Sequence, residues 1–330
     1  GSGRLGRHAL QALAEAGCTR VRVLDVQPPP RPPAGIEVEF FRHRLGQDSP
    51  DALRGALQGV DSVFSMVAAS MEHATKDEMA RTSARGVQEL VGACSASEAQ
   101  RLVHVSCTAV TDLWRQSVHQ SEEQELPPRQ EYRSPFDASV RLGEDAVLAA
   151  CGERLATVVL RPHAVMSGRG DSVFGHCFDF NGTVVAPEGA ALQDHIAAED
   201  LCRALLLAEE RLDSPSVKGQ AFFVTKGEEA TAGDVARLVA EALGWTFTEL
   251  PAVATPLIGF GSQVKHSALS LLGRPVSGVA PQDFVLLPLT QNTFDNTRAA
   301  ETLGFESRVS IRDVVTRVVA EFKQHSAGGA

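Results

Sequence analysis

Three glycines in the pattern G-x-G-x-x-G (Gly1, Gly3, Gly6) open this chain of 330 residues, and the apolar run Val21-Arg22-Val23-Leu24 ends on an acid, Asp25. Between them Leu5, Ala9, Leu10, Leu13 and Ala14 recur at helical spacing, up to the turn Gly17-Cys18-Thr19. Loop, helix, strand and terminal acid in that order form the arrangement that seats a dinucleotide. Glycine lets backbone approach a pyrophosphate closely, and the first helical turn offers N–H groups with no partner inside the helix. A carboxylate about 20 residues on accepts hydrogen bonds from the adenosine ribose, which favours NAD over NADP. The candidate cofactor is therefore NAD, held by Gly1, Ser2, Gly3, Arg4, Leu5, Gly6 and Asp25. Such a loop ordinarily follows a strand, and none precedes Gly1. The expectation is a fragment or incomplete chain whose sheet lacks its first strand, with two neighbouring strands exposed or paired across the gap.

Further along, strands and helices alternate, which predicts a parallel sheet covered on both faces. A polyproline loop from Pro28 to Pro33 is followed by a strand at Val38–Phe41 and a helix capped by Ser49-Pro50-Asp51 that runs through Leu57. Asp61 to Ala68 reads as a strand, Glu78 to Cys94 as a helix, Leu102 to Ser106 as a strand, and the polar, proline-bearing stretch 113–133 as a loop excursion. A helix at 139–150 and a strand at 157–160 complete the regular alternation, which fades after Pro162. The expected fold is α/β: a Rossmann-like doubly wound parallel sheet in 1–175, with 193–210 returning to it, and a smaller substrate lobe in 176–330.

A net charge of −10 and a pI near 5.5 argue against nucleic acid, because phosphate binding needs a basic footprint. The six cysteines are scattered without metal-ligand spacing, so they read as free thiols of a reducing compartment, and no metal is expected. No run of 18 or more apolar residues appears, so no membrane span is expected.

The chain resembles the extended short-chain dehydrogenases/reductases, and among them the 3β-hydroxysteroid dehydrogenase/isomerase family with its sterol-4-carboxylate 3-dehydrogenase relatives. The matching landmarks run nearly end to end. They are the glycine loop, Asp25, GVDSVFSMVAA (59–69), RLVHVSCTAV (101–110), LRP (160–162), DHIAAEDLCRALLLA (194–208) and FDNTRAAETLGF (294–305). The resemblance adds Ala68 and Pro162 to the cofactor contacts. It implies an oxidoreductase acting on a sterol or similar hydrophobic alcohol, in the cytoplasm or against the endoplasmic reticulum surface, and able to form a homodimer.

In that family a Tyr and a Lys four residues later move the substrate proton and hold the nicotinamide ribose. Ser139 and Glu144 set the register here, which puts Phe136 at the Tyr position and Val140 at the Lys position. Neither side chain can carry a proton. The one tyrosine, Tyr132, precedes Pro135 and has no Lys four residues on; it reads as a packing residue of the loop entering the helix. Arg141 is one position off the Lys register and points about 100° away.

Thr108 aligns best with the family's substrate-binding Ser/Thr, with Ser106 as the neighbouring candidate, although capping a turn explains either hydroxyl equally well. Phe136, Val140 and His163 are expected to line the substrate pocket. His163 also reads as a satisfied structural histidine, and His195 as a contact at a domain boundary. Gly46 replaces the acid that touches adenine, with Asp48 out of register; Ser65 and Ser83 replace a common His and a usual Asn. The apolar stretch 251–289 either lines a sterol pocket that can lie on a membrane surface or is plain core. Two readings result: an NAD-linked sterol oxidoreductase, or a catalytically silent dinucleotide-binding sensor or scaffold.

Overall fold

The computed structural model describes residues 1–327. Its elements in chain order are α1 (Arg4–Glu15), β1 (Arg20–Asp25), β2 (Glu37–Arg42), α2 (Asp51–Leu57), β3 (Ser62–Ser65), α3 (Lys76–Met79), α4 (Val87–Ser95), β4 (Arg101–Val105), β5 (Ser117–Gln120), α5 (Pro135–Ala149) and β6 (Ala156–Pro162). There follow β7 (Val165–Met166), β8 (Thr183–Pro187), β9 (Leu192–Gln193), β10 (Ile196–Ala197), α6 (Ala198–Glu210), β11 (Ala221–Val224), β12 (Ala230–Thr231), α7 (Ala232–Leu243) and β13 (Thr246–Leu250). The chain closes with α8 (Ala254–Leu271), α9 (Pro281–Leu286), β14 (Asn292–Phe294), α10 (Thr297–Leu303) and α11 (Ile311–Ala327).

Strands β3, β4, β6 and β11 form a parallel sheet in the order β11-β6-β4-β3. Every residue of β6 is buried, as expected of a strand covered on both faces. One face is sealed by Ala9 of α1, Leu201 and Leu205 of α6 and Leu303 of α10, the other by Leu53 of α2, Leu90 and Cys94 of α4 and Val147 of α5. The doubly wound architecture predicted from the alternating pattern is thus the one observed. β1 and β2 make a separate parallel pair, and among the described residues no ladder joins β1 to β3.

Three expectations about single elements change. Glu78–Cys94 is not one regular helix: a π-helical turn, Ala80–Gly86, separates α3 from α4. A π turn adds one residue to a helical turn, which the apolar spacing Met79, Gly86, Leu90, Cys94 does not reveal. Here α5 crosses so closely that a Cβ on Gly143 would lie 2.2 Å from the Ser83 carbonyl oxygen. The excursion 113–133 contains a strand, β5, which pairs in parallel with β14. Ser-Val-His-Gln has no apolar alternation; the strand exists because a segment far along the chain supplies its ladder. The helix expected at 139–150 starts earlier, because Ser134 accepts the Phe136 N–H at 3.1 Å as its cap and Pro135 occupies the first turn.

A second hydrophobic core gathers β8, α7 and α11 around Val184, Val235, Val239, Val314 and Val318. β11 lies beyond 193–210 in sequence, yet it completes the first sheet beside β6. Asp200 of α6 anchors the C-terminal region: its Oδ2 accepts from Ser307 Oγ at 2.6 Å and from the Arg308 and Val309 N–H groups at 2.9 and 3.0 Å. No helix among the described residues is long and apolar enough to cross a membrane.

Candidate functional site

Ligands of open α/β sheets bind beyond the carboxyl ends of the strands. At that edge the structure assembles Gly1, Ser2 and Gly6 against the end of β1. Asp25 Oδ2 accepts from the Gly1 nitrogen at 2.8 Å and the Ser2 N–H at 2.6 Å, and Oδ1 accepts from Val26 N–H at 2.7 Å. Burial raises the Asp25 pKa, but the Gly1 nitrogen and these N–H donors outweigh it and hold the carboxyl below its ordinary value.

The packing is tight where glycine is required. A Cβ on Gly6 would lie 2.1 Å from the Gly1 carbonyl oxygen, and one on Gly1 would lie 2.5 Å from Val23 Cγ1, whereas Gly3 has open space. Gly3 begins α1 with no side-chain cap and no acid in the first turn, so the N–H groups there are left for an anion. The Arg4 guanidinium lies over Gly170, and Leu5 packs against the core beneath the sheet. A cradle that a Cβ on Gly1 or Gly6 would fill, an uncapped helix start and a carboxylate at the next strand end fit a dinucleotide.

A small pocket of about 110 Å³ beside the ends of β1 and β2 is lined by Val26, Arg42, His43, Arg44 and Asp48, on the side where an adenosine would lie. The missing acid at Gly46 is explained locally. Glu89 of α4 reaches that loop, accepting from Gly46 N–H at 2.6 Å and facing His43 Nε2 at 3.0 Å. Asp48 accepts the Arg44 N–H instead. Ser83 shapes the turn after β3, its Oγ accepting from Ala69 N–H at 2.9 Å, next to the exposed Ala68. Ser65 is buried, 3.0 Å from His104 Nδ1.

Phe136 and Val140 are buried in an apolar cluster with Met79, Ala109, Val110, Leu113 and Val279. Tyr132 lies outside α5; its hydroxyl donates to the Val110 carbonyl, with Arg141 Nη1 3.5 Å away. Burial raises the Tyr132 pKa, which Arg141 only partly opposes. Ser106 Oγ is buried with no partner, so it and Thr108 do not act together.

Thr108 instead meets His163. Its Oγ1 is 2.6 Å from His163 Nδ1, and His163 Nε2 is 2.9 Å from Gln193 Oε1. Pro162, the residue before His163, ends β6 beside Val224. Burial pushes His163 down to about 4, and burial with the neighbouring His163 takes His195 to about 4 as well. The side chain that sequence reasoning missed is Gln193, whose only signal was its place beside the Asp194-His195 pair. A second cleft of about 560 Å³, lined by Glu98, Arg101, Arg154, Asp213 and Lys218 among others, lies at the amino ends of β4 and β6, the wrong end for the cofactor.

Glycine cradle, strand-end acid and interrupted parallel sheet define a Rossmann-type protein of the short-chain dehydrogenase/reductase kind. More narrowly, the chain belongs to the 3-beta hydroxysteroid dehydrogenase/isomerase family, whose model matches residues 1–251. It is 24% identical over 99% of its length to the 3beta-hydroxysteroid-dehydrogenase/decarboxylase isoform 2 of Arabidopsis thaliana, and spans 62% of that relative. It is 25% identical over 98% of its length to the human sterol-4-alpha-carboxylate 3-dehydrogenase, decarboxylating, covering 87% of it. The solved structure of MoeE5 in complex with UDP-glucuronic acid and NAD superposes with a TM-score of 0.73 at 20% identity, over 98% of this chain and 97% of that one.

Proposed function

We propose that the protein binds NAD and uses it to oxidise the hydroxyl of a sterol or similarly hydrophobic alcohol. The observation that carries this reading is the cradle in which Gly1, Gly6 and Asp25 meet at an uncapped helix start. Bound there, NAD supplies the hydride acceptor. Asp25 receives the ribose hydroxyls, and the first turn of α1 receives the pyrophosphate. The apolar surroundings of Phe136 and Val140 suit a hydrocarbon skeleton. Family membership and the nature of the two relatives support the same class of reaction.

Calorimetric titration with NADH and NADPH tests it. NADH should bind the more tightly, and Asp25→Ala should weaken NADH more than NADPH. Equal losses for both cofactors would remove Asp25 from the ribose.

A second reading, a dinucleotide-binding sensor or scaffold without turnover, is favoured by one observation: Phe136 and Val140, at the positions of the family's Tyr and Lys, are buried in an apolar cluster and neither side chain can carry a proton. The double replacement Phe136→Tyr and Val140→Lys separates the two readings, because only an otherwise competent site gains turnover from it.

The peripheral membrane contact has its own support in α8. Leu257, Phe260 and Val264 are 72%, 70% and 53% exposed, and the acid-free stretch 251–282 carries Lys265 and Arg274 in a chain of net charge −10. An apolar face flanked by cations fits an anionic lipid surface. Sedimentation with phosphatidylserine vesicles should retain the protein, and Leu257→Glu with Phe260→Glu should release it. Binding that the double variant leaves intact would place the contact elsewhere.

A further inference from the structure

The hydrogen-bond chain from Thr108 to Thr290 has a direction. Gln193 Nε2 donates to the Thr290 carbonyl oxygen, which turns its Oε1 towards His163. His163 Nε2 must therefore carry the hydrogen it gives to Gln193 Oε1, at 2.9 Å. A neutral imidazole has a single N–H, so Nδ1 is left as an acceptor, and Thr108 Oγ1–H donates to it at 2.6 Å. The hydroxyl hydrogen of Thr108 is thereby committed inward, and its oxygen offers only lone pairs to whatever lies beyond.

Several features hold this arrangement in place. Thr108 and His163 follow the carboxyl ends of β4 and β6, where a ligand would sit, and Gln193 comes from β9 in the second sheet. The Phe294 ring lies 5.3 Å from the His163 ring. Ala164, immediately after His163, has φ of +36°, a left-handed conformation that is unfavourable for a residue with a Cβ and persists only where the surroundings impose it.

We infer that Thr108, His163 and Gln193 form a proton relay that takes up the substrate hydroxyl proton in place of the absent Tyr and Lys. The inference rests on the dinucleotide reading above, with oxidised nicotinamide as the two-electron acceptor. As the carbinol carbon gives up its hydrogen with the bonding pair, the substrate O–H proton passes to Thr108 Oγ1. The Thr108 proton passes to His163 Nδ1, and a C=O double bond remains in the product. In this relay Thr108, 1% exposed beyond the end of β4, is the catalytic residue assigned to the substrate oxygen. His163 is the proton acceptor behind it, and Gln193 is a positioning residue that fixes which ring nitrogen is free. Burial holds His163 neutral at neutral pH, with its pKa pushed down to about 4. Nδ1 thus keeps its free lone pair while the ring holds an added proton only weakly, and the titratable ring beside it is His195.

Nitrogen-15 NMR of histidine-labelled protein reads the relay without turnover. The His163 ring should be the neutral Nε2–H tautomer, with an Nδ1 resonance that shifts to the unbonded value in Thr108→Val. Turnover of the NAD-loaded protein on hydrophobic alcohols should fall about 10² to 10⁴-fold in Thr108→Val, the usual size of a proton-transfer contribution, with NADH affinity unchanged. Thr108→Ser, which keeps the hydroxyl, should restore most of it. An Nδ1–H tautomer at His163, or undiminished turnover in Thr108→Val, overturns the relay. Loss of NADH binding in the unaltered protein would instead defeat the dinucleotide reading, and the tautomer measurement would still judge the hydrogen-bond chain independently.

Discussion

Replacing Glu144 with glutamine should lower the stability of the fold by about 3–5 kcal/mol, the usual cost of removing one partner from a buried ion pair. Glu144 on α5 is fully buried and Arg161 on β6 is 5% exposed. The guanidinium holds both carboxylate oxygens, Nη2 to Oε1 at 2.6 Å and Nε to Oε1 and Oε2 at 3.2 Å. The Arg161 guanidinium also lies 5.4 Å from the Phe223 ring centre. Without the carboxylate, that cation stays in the interior uncompensated, and desolvation outweighs the remaining contacts. Removing both charges has a different expected outcome. Glu144→Leu with Arg161→Met should recover most of the loss, because a pair of apolar side chains strands no charge. Denaturant midpoints at constant slope measure both. A loss under about 1 kcal/mol for Glu144→Gln, below the range for buried pairs, would mean that the pair is solvated in solution. Arg161 is two residues before His163, so the same replacement should also loosen the ring that Thr108 meets.

Gly6→Ala should reduce NADH affinity by about 100-fold or more, roughly 2.7 kcal/mol, while the protein still folds. The added Cβ would lie 2.1 Å from the Gly1 carbonyl oxygen, a contact that can be relieved only by moving the loop away from β1. Gly3→Ala is the matched control. Nothing lies within 4 Å of a Cβ at Gly3, and its φ of −67° suits any residue. Calorimetric titration should show NADH affinity kept within a few-fold for Gly3→Ala and lost for Gly6→Ala. Equal losses would show that the helix start contacts the cofactor through space at Gly3 rather than through the cradle at Gly6.

Much of this architecture was legible in the chain because it rests on local periodicity. The buried strands β4 and β6 carry near-continuous apolar runs, and α1 shows its apolar face at helical spacing, so each could be placed without a partner in view. The glycine loop and Asp25 were legible for a related reason: only glycine tolerates the approach, and the acid ends the next strand. Strand β5 was not legible, since its polar residues become a strand only when β14 arrives beside them. The π turn at Ala80–Gly86 was hidden because it widens a helix without breaking its composition. Thr108 and His163 could be named as candidates, one from the resemblance and one from its place beside the Leu-Arg-Pro turn. That they touch, and that Gln193 sets the direction of their hydrogen bond, could not be read, because the three lie on separate elements. The sequence by itself determined the doubly wound sheet and the glycine loop with its strand-end acid, both carried by residue type and near-neighbour spacing, while the reading of Phe136 and Val140 at the Tyr and Lys positions came from the family resemblance. Only the tertiary structure decided which polar groups face one another, because hydrogen-bond partners 55 and 30 residues apart are chosen by packing and burial rather than by any pattern along the chain.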